Sequence, residues 1–166
     1  MTTKPCTSMV LHKATPENAL FSLWLCATLL FMPCVASAYT TDQIRSAVWQ
    51  AGGPTKFISE IANNTAKMAP RMFDKETELI GATATGTTIV YYLRIVNYDK
   101  ADIPNVSSIR QDLSTRNMPS VCTAPVASIL INEYGAEYKY IYYSKRREYL
   151  FEFTLNKSAC AGSATN

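Results

Sequence analysis

Histidine is almost missing from this chain: the 166 residues hold one, His12, and it lies near the N-terminus. Charged residues make up only 17% of the total, and there are six glycines. No apolar run approaches the ~20 residues that a helix needs to cross a bilayer; the longest, Ala19 to Met32, stops at Pro33. Each shortage excludes something. No phosphate-cradling glycine loop is present, because Gly52-Gly53 is followed by Pro54, which has no amide hydrogen to offer. The net charge is only +3, and the basic residues are scattered apart from Lys145-Arg146-Arg147, so nothing marks a nucleic-acid partner. What the chain does have is 48% hydrophobic residues and ten tyrosines, a composition that suits one globular domain plus a leader.

The leader is expected at residues 1–38. Lys4 and Lys13 supply a positive n-region, Ala19 to Met32 a short h-region, and Ala36-Ser37-Ala38 an A-x-A site, which together make a secretory signal peptide cleaved between Ala38 and Tyr39. Met9 is an alternative start. Cys26 and Cys34 follow Leu25 and Pro33 rather than a small residue, which argues against lipidation. Cleavage removes His12, and with it the Ser-His-Asp and Cys-His nucleophile systems and the usual histidine zinc sites. The expectation is a periplasmic or secreted domain over 39–162, a flexible tail at 163–166, no catalytic residues, and no metal or cofactor.

Cleavage also leaves only two cysteines, Cys122 and Cys160, which in an oxidising compartment have each other as intramolecular partners. Their spacing is far from a redox C-x-x-C, so the expected bridge is structural, worth roughly 4 kcal/mol in the chain-entropy model.

Thr40 and Gln43 have capping-box spacing, and Ile44, Ala47, Val48 and Ala51 fall on one helical face. A second helix, capped by Thr55, carries Ile58, Ile61 and Ala62 and ends before Pro70. Thr77 to Ala84 and Thr87 to Asn97 read as strands around a tight turn, the second apolar on both faces and therefore central. A third helix begins at Pro104-Asn105, carries the narrow stripe Val106, Ile109 and Leu113, and is stopped by Met118-Pro119. A short helix capped by Thr123 and closed by Gly135 follows, then strands Ala136 to Tyr143 and Tyr149 to Leu155. The order α-α-β-β-α-α-β-β predicts an α+β fold: an antiparallel sheet of two β-hairpins with helices packed on one face.

Tyr138, Tyr140 and Tyr142 share one face of their strand, as do Tyr149, Phe151, Phe153 and Leu155 of the next. The tyrosine stripe reads first as core or cross-strand packing against Tyr91 or Tyr92, and second as a partner-binding face. Lys145-Arg146-Arg147 reads first as a solvated turn and second as a contact for an anionic partner. Asp74, Glu76, Glu78, Glu133 and Glu137 could serve carboxylate chemistry only if something desolvated them, and nothing adjacent in sequence does so.

One family pattern emerges. The run Gly86-Thr87-Thr88-Ile89, the run Cys122-Thr123-Ala124-Pro125, the helix-closing Gly135, Tyr138 and the final Cys160 follow one another as in the AspS-type (GspS-beta) pilotins of type II secretion, which the chain resembles over roughly residues 70 to 160. The resemblance implies a small periplasmic α+β protein with one disulfide that binds the C-terminal segment of a secretin. The chain departs from the pattern in having no lipobox and in its helical pair at 40 to 68. The functional expectation is a non-enzymatic accessory factor of an envelope secretion or assembly system that binds a protein partner. The alternative is a secreted inhibitor or immunity-type protein that plugs a lytic enzyme with its basic turn.

Overall fold

Thr40 opens the first helix as its spacing to Gln43 requires. The Thr40 hydroxyl accepts from the Gln43 amide at 3.3 Å, and the Gln43 side chain accepts from the Thr40 amide at 2.9 Å. The computed structural model describes residues 40–163. The expected leader with its Ala38–Tyr39 cleavage site and the last three residues of the expected tail lie outside the described residues. Helix α1 (Thr41–Gln50) buries Ile44 and Val48 and gives way to Gly52 and Gly53, both at positive φ (90° and 102°) where a side chain would be strained. Helix α2 (Pro54–Lys67) is capped by Gly53 rather than by Thr55, because Pro54 occupies the first helical turn with its φ already fixed.

Five strands follow in two groups. Strands β1 (Arg71–Met72), β2 (Thr77–Thr85) and β3 (Thr88–Ile95) precede a 3-10 turn at Lys100–Asp102, helix α3 (Val106–Thr123) and helix α4 (Pro125–Tyr134). Strands β4 (Glu137–Tyr143) and β5 (Tyr149–Leu155) and helix α5 (Lys157–Ser163) complete the chain. The sheet order is β1-β2-β3-β4-β5, with β3 central as expected.

Several expectations are corrected. The sheet is mixed, because β3 and β4 pair in parallel while every other neighbouring pair is antiparallel. The two hairpins exist, but the segment joining them crosses the sheet and carries α3 and α4, and a crossover returns the chain in its original direction. Arg71–Met72, outside every strand expected from the sequence, is an edge strand. Helix α3 continues through Pro119 to Thr123, where the Thr123 hydroxyl donates to the Pro119 carbonyl at 2.7 Å instead of capping α4. The chain after β5 forms α5, a helix that the expected element order did not include. Gly135, at φ 65°, closes α4 as its sequence position indicated.

Register explains the core. Ile89, Tyr91 and Leu93 stand opposite Tyr138, Tyr140 and Tyr142, which in turn stand opposite Leu155, Phe153 and Phe151. These residues join Val48, Ile58, Ala62, Leu130 and Ile131 from the helices in one apolar cluster. The helices therefore cover one face of the sheet. The residues of the other face, including Val90, Tyr92, Ile141 and Tyr143, are only half-buried. Cys122 and Cys160 are joined, tying the end of α3 to α5 across a sequence separation of 38.

Candidate functional site

On the covered face, α2 packs against β2 while α3 reaches toward β5. The strip of β3 and β4 beneath α3 borders two adjoining cavities. One, of about 240 Å³, is lined by Phe73, Tyr91, Leu93, Val121, Tyr140 and Tyr142 among others. The second, of about 450 Å³, runs outward past Ile95, Tyr98, Ile109 and Asp112. Asp74, Thr77, Leu113 and Arg116 line both, so the two form one groove with a deep apolar end and a more polar mouth.

Local sequence builds each wall. Ile109, Leu113, Arg116 and Ser120 recur at three- and four-residue spacing and so present one side of α3 to the groove. No residue of this 18-residue helix is buried. The opposite lip is set by Asp74, whose carboxylate accepts from the Glu76 and Thr77 amides at 2.7 Å each, while the Phe73 amide donates to the Thr77 carbonyl at 2.8 Å. That tight loop holds Phe73 outward, 55% exposed, and Tyr98 on the far side is 45% exposed. Met72, beside Phe73, is half open to water as well. Large apolar side chains left exposed around an apolar cleft mark a surface made for contact.

The floor is aromatic and uncharged. Tyr140 stacks with Tyr91 and Phe153 at centroid distances of 5.3 and 5.1 Å, and Tyr142 with Phe151 at 4.9 Å. Burial pushes the Tyr91 hydroxyl up to about 12 and the Tyr142 hydroxyl up to about 12, and it pushes those of Tyr138 and Tyr140 up further. All four stay neutral at physiological pH and act as hydrogen-bonding groups; Asn117 donates to the Tyr142 hydroxyl at 3.3 Å. Asp112 and Arg116 form an exposed ion pair at the mouth of the groove.

The other residues singled out in the sequence scatter. Tyr138, Tyr140 and Tyr142 are packed in the core, the last two with one edge on the groove. Lys145, Arg146 and Arg147 form the β4–β5 turn away from that stripe: Arg146 pairs with Asp99 at 3.2 Å, and the Lys145 amide donates to the Tyr98 carbonyl at 2.9 Å. The carboxylates are taken singly. Glu133 grips Arg45 at 2.7 and 2.9 Å, and the hydrogen bond from Arg45 holds its carboxyl below the usual carboxylate range. Glu78 faces Arg94, and Glu137 meets Thr88 and Asn156. Among the described residues no cluster of three or more His, Cys, Asp or Glu side chains could hold a metal. Sequence reasoning missed Phe73, Tyr98 and Asn117; the signal that pointed their way was the narrow stripe of α3, too thin to bury a whole helix.

No protein-family model matches the sequence, and no curated protein matches it. Solved structures do share the fold. A Pseudomonas aeruginosa protein assigned as secreted superposes with a TM-score of 0.53 at 15% identity, covering 69% of this chain and 96% of its own. The pilotin EpsS of the Vibrio vulnificus type 2 secretion system gives 0.52 at 11% identity, covering 73% and 97%. The type II secretion pilotin AspS of Vibrio cholerae gives 0.50 at 15%, covering 70% and 98%. Nearly the whole of each of these proteins thus has a counterpart here, and the pilotin likeness read from the sequence extends to the fold. Among the described residues no helix is long and apolar enough to cross a membrane.

Proposed function

We propose that this chain is an exported, non-enzymatic binding protein that serves an envelope secretion or assembly system by holding a segment of a partner protein in the groove between α3 and the sheet. The observation that carries this reading is the fold held in common with two type II secretion pilotins over almost their full length. The groove supports it with a dry aromatic floor and an exposed apolar mouth, the combination by which apolar anchors of a partner are captured. A segment of a secretin is the occupant that the family resemblance implies. The leader directs the chain to the periplasm, where cleavage after Ala38 leaves a form without lipid, and the bridge Cys122–Cys160 forms on arrival.

The test is photo-crosslinking in the host from a reactive residue placed at Phe73, followed by purification from the periplasm. The expected result is enrichment of one envelope component, lost when Leu113→Glu puts a charge into the groove while the melting temperature stays near that of the parent. Recovery of monomer alone would overturn the reading. Intact mass of the recovered protein checks the leader, with Tyr39 expected at the N-terminus.

A further inference from the structure

The face of the sheet that the helices leave open carries a separate cavity of about 260 Å³, lined by Ile80, Tyr92, Tyr143 and Arg147. Ile80 is the residue skipped in the β2–β3 register, so a bulge places it there. The β3–β4 register sets Arg94 directly beside Tyr143, in the same row as the cavity wall. Arg94 lies 2.5 Å from Glu78, yet the Arg94 Nε and a Glu78 carboxylate oxygen are buried without an aligned hydrogen bond. The two charges touch, but the guanidinium keeps a donor unspent.

Arg147 is the second oddity. Its backbone sits at φ 64°, the left-handed region that suits glycine and strains a residue with a Cβ. Its guanidinium has neither a hydrogen bond nor an ion pair among the described residues, although Arg146 beside it is paired. A turn position that would fold more easily with glycine instead holds an unpartnered cation at the rim of a cavity that two tyrosines also line. Such local conflicts gather at sites kept for function.

We propose that this cavity binds a carboxylate-bearing sugar of the uronic-acid class, its ring lying against Tyr92 and Tyr143 and its carboxylate paired with Arg147. The planar guanidinium fork matches a carboxylate and is the cation without a partner at the site. Strands β3 and β4, which carry both tyrosines, have hydrogen-bonded neighbours on each side, so this part of the sheet offers no free backbone groups to an extended peptide. It offers aromatic faces instead, whose negative potential attracts the weakly positive C–H groups of a pyranose ring. The site lies on the sheet face opposite the α3 groove, so sugar and protein partner could be held together.

The test is a titration of the purified chain with methyl glucuronide, followed by NMR shifts of the Tyr92 and Tyr143 rings and the Arg147 side chain. Saturable shifts in these groups are expected, with methyl glucoside and acetate each binding about tenfold more weakly or worse. Arg147→Gln should lower the affinity about tenfold at unchanged melting temperature. Arg147→Gly should lower the affinity at least as much yet melt at a higher temperature, since it relieves the turn; Leu113→Ala, in the groove, should bind as the parent does. Acetate binding as tightly as the glucuronide, a peptide C-terminal carboxylate binding more tightly, or full affinity in Arg147→Gln would each overturn the proposal.

Discussion

Helices α2 and α3 lie on the same face of one sheet and are held there by different physics. Helix α2 has 14 residues and sinks Ile58 and Ala62 fully into the core. Helix α3 is longer, at 18 residues, and buries none. Its attachments are discrete: the bridge at Cys122, a hydrogen bond from Arg110 Nε to the Glu152 carbonyl at 2.9 Å, and the bond from Asn117 to Tyr142. A helix that walls an open groove buries its apolar stripe only in part, here Val106, Ile109, Leu113, Met118 and Val121 against the rim of the core, so point attachments supplement area. The hydrophobic effect scales with surface removed from water and fixes α2; α3 has only a half-buried stripe and depends more on a covalent clasp and a few polar contacts.

The sharpest way to break this contrast is to remove the clasp. Cys122→Ser and Cys160→Ser should each destabilise the protein by about 2 to 5 kcal/mol and to a similar extent, because each deletes the same bond. Thermal melts of both variants, with thiol counting on the unreduced parent, check this; two free thiols in the parent would show the clasp absent. Next in size, Ile58→Ala should cost about 2 to 4 kcal/mol through lost burial and a residual cavity, whereas Leu113→Ala on α3 should cost about 1 kcal/mol or less. Denaturant midpoints measure both, and equal losses would erase the distinction. Amide hydrogen exchange sharpens it further: α2 amides should exchange only on global opening, while those of Val106–Asn117 exchange through local opening, faster still once the disulfide is reduced.

The buried tyrosines give an effect confined to alkaline pH. Their folded-state values lie above the unfolded 10.0, with Tyr91 and Tyr142 at about 12. A native state that holds these protons more tightly is fully stable below pH 10 and loses stability as the pH rises toward 12. Absorbance of tyrosinate should therefore rise together with loss of the fold rather than before it. The smallest effect concerns α1 and α4. Glu133 is held ionised by Arg45, so that contact is present above the usual carboxylate range and fades as acid protonates Glu133. Because the pair is solvent-exposed, Glu133→Gln should shift the melting temperature only marginally.

Local chemistry was legible wherever a single segment settles its own conformation. The Thr40–Gln43 box, the stop at Gly52-Gly53, the left-handed Gly135 and the alternation from Tyr138 to Tyr142 are short-range facts, and the structure keeps them; Tyr149, placed by alternation on the inner face with Phe151, is instead exposed, because the β4–β5 register shifts between Tyr142 and Tyr143. Two-sided apolarity placed β3 in the middle, since only a strand with neighbours on both sides and one face covered needs so much apolar surface. The cysteine pairing followed from elimination.

The sequence by itself therefore determined helices α1, α2 and α4, the four long strands, the inward tyrosine stripe of β4 and the clasp. Only the tertiary structure decided that β3 and β4 run parallel, that a two-residue edge strand extends the sheet, that α3 survives Pro119, and that Phe73, Tyr98, Leu113 and Asn117 surround one groove. The reason is physical: alternation and periodicity say which way a side chain points, and they are blind to the direction in which the next strand returns. That direction depends on where a crossover of two helices finds apolar surface to cover, a balance summed over the whole sheet rather than written in any one stretch.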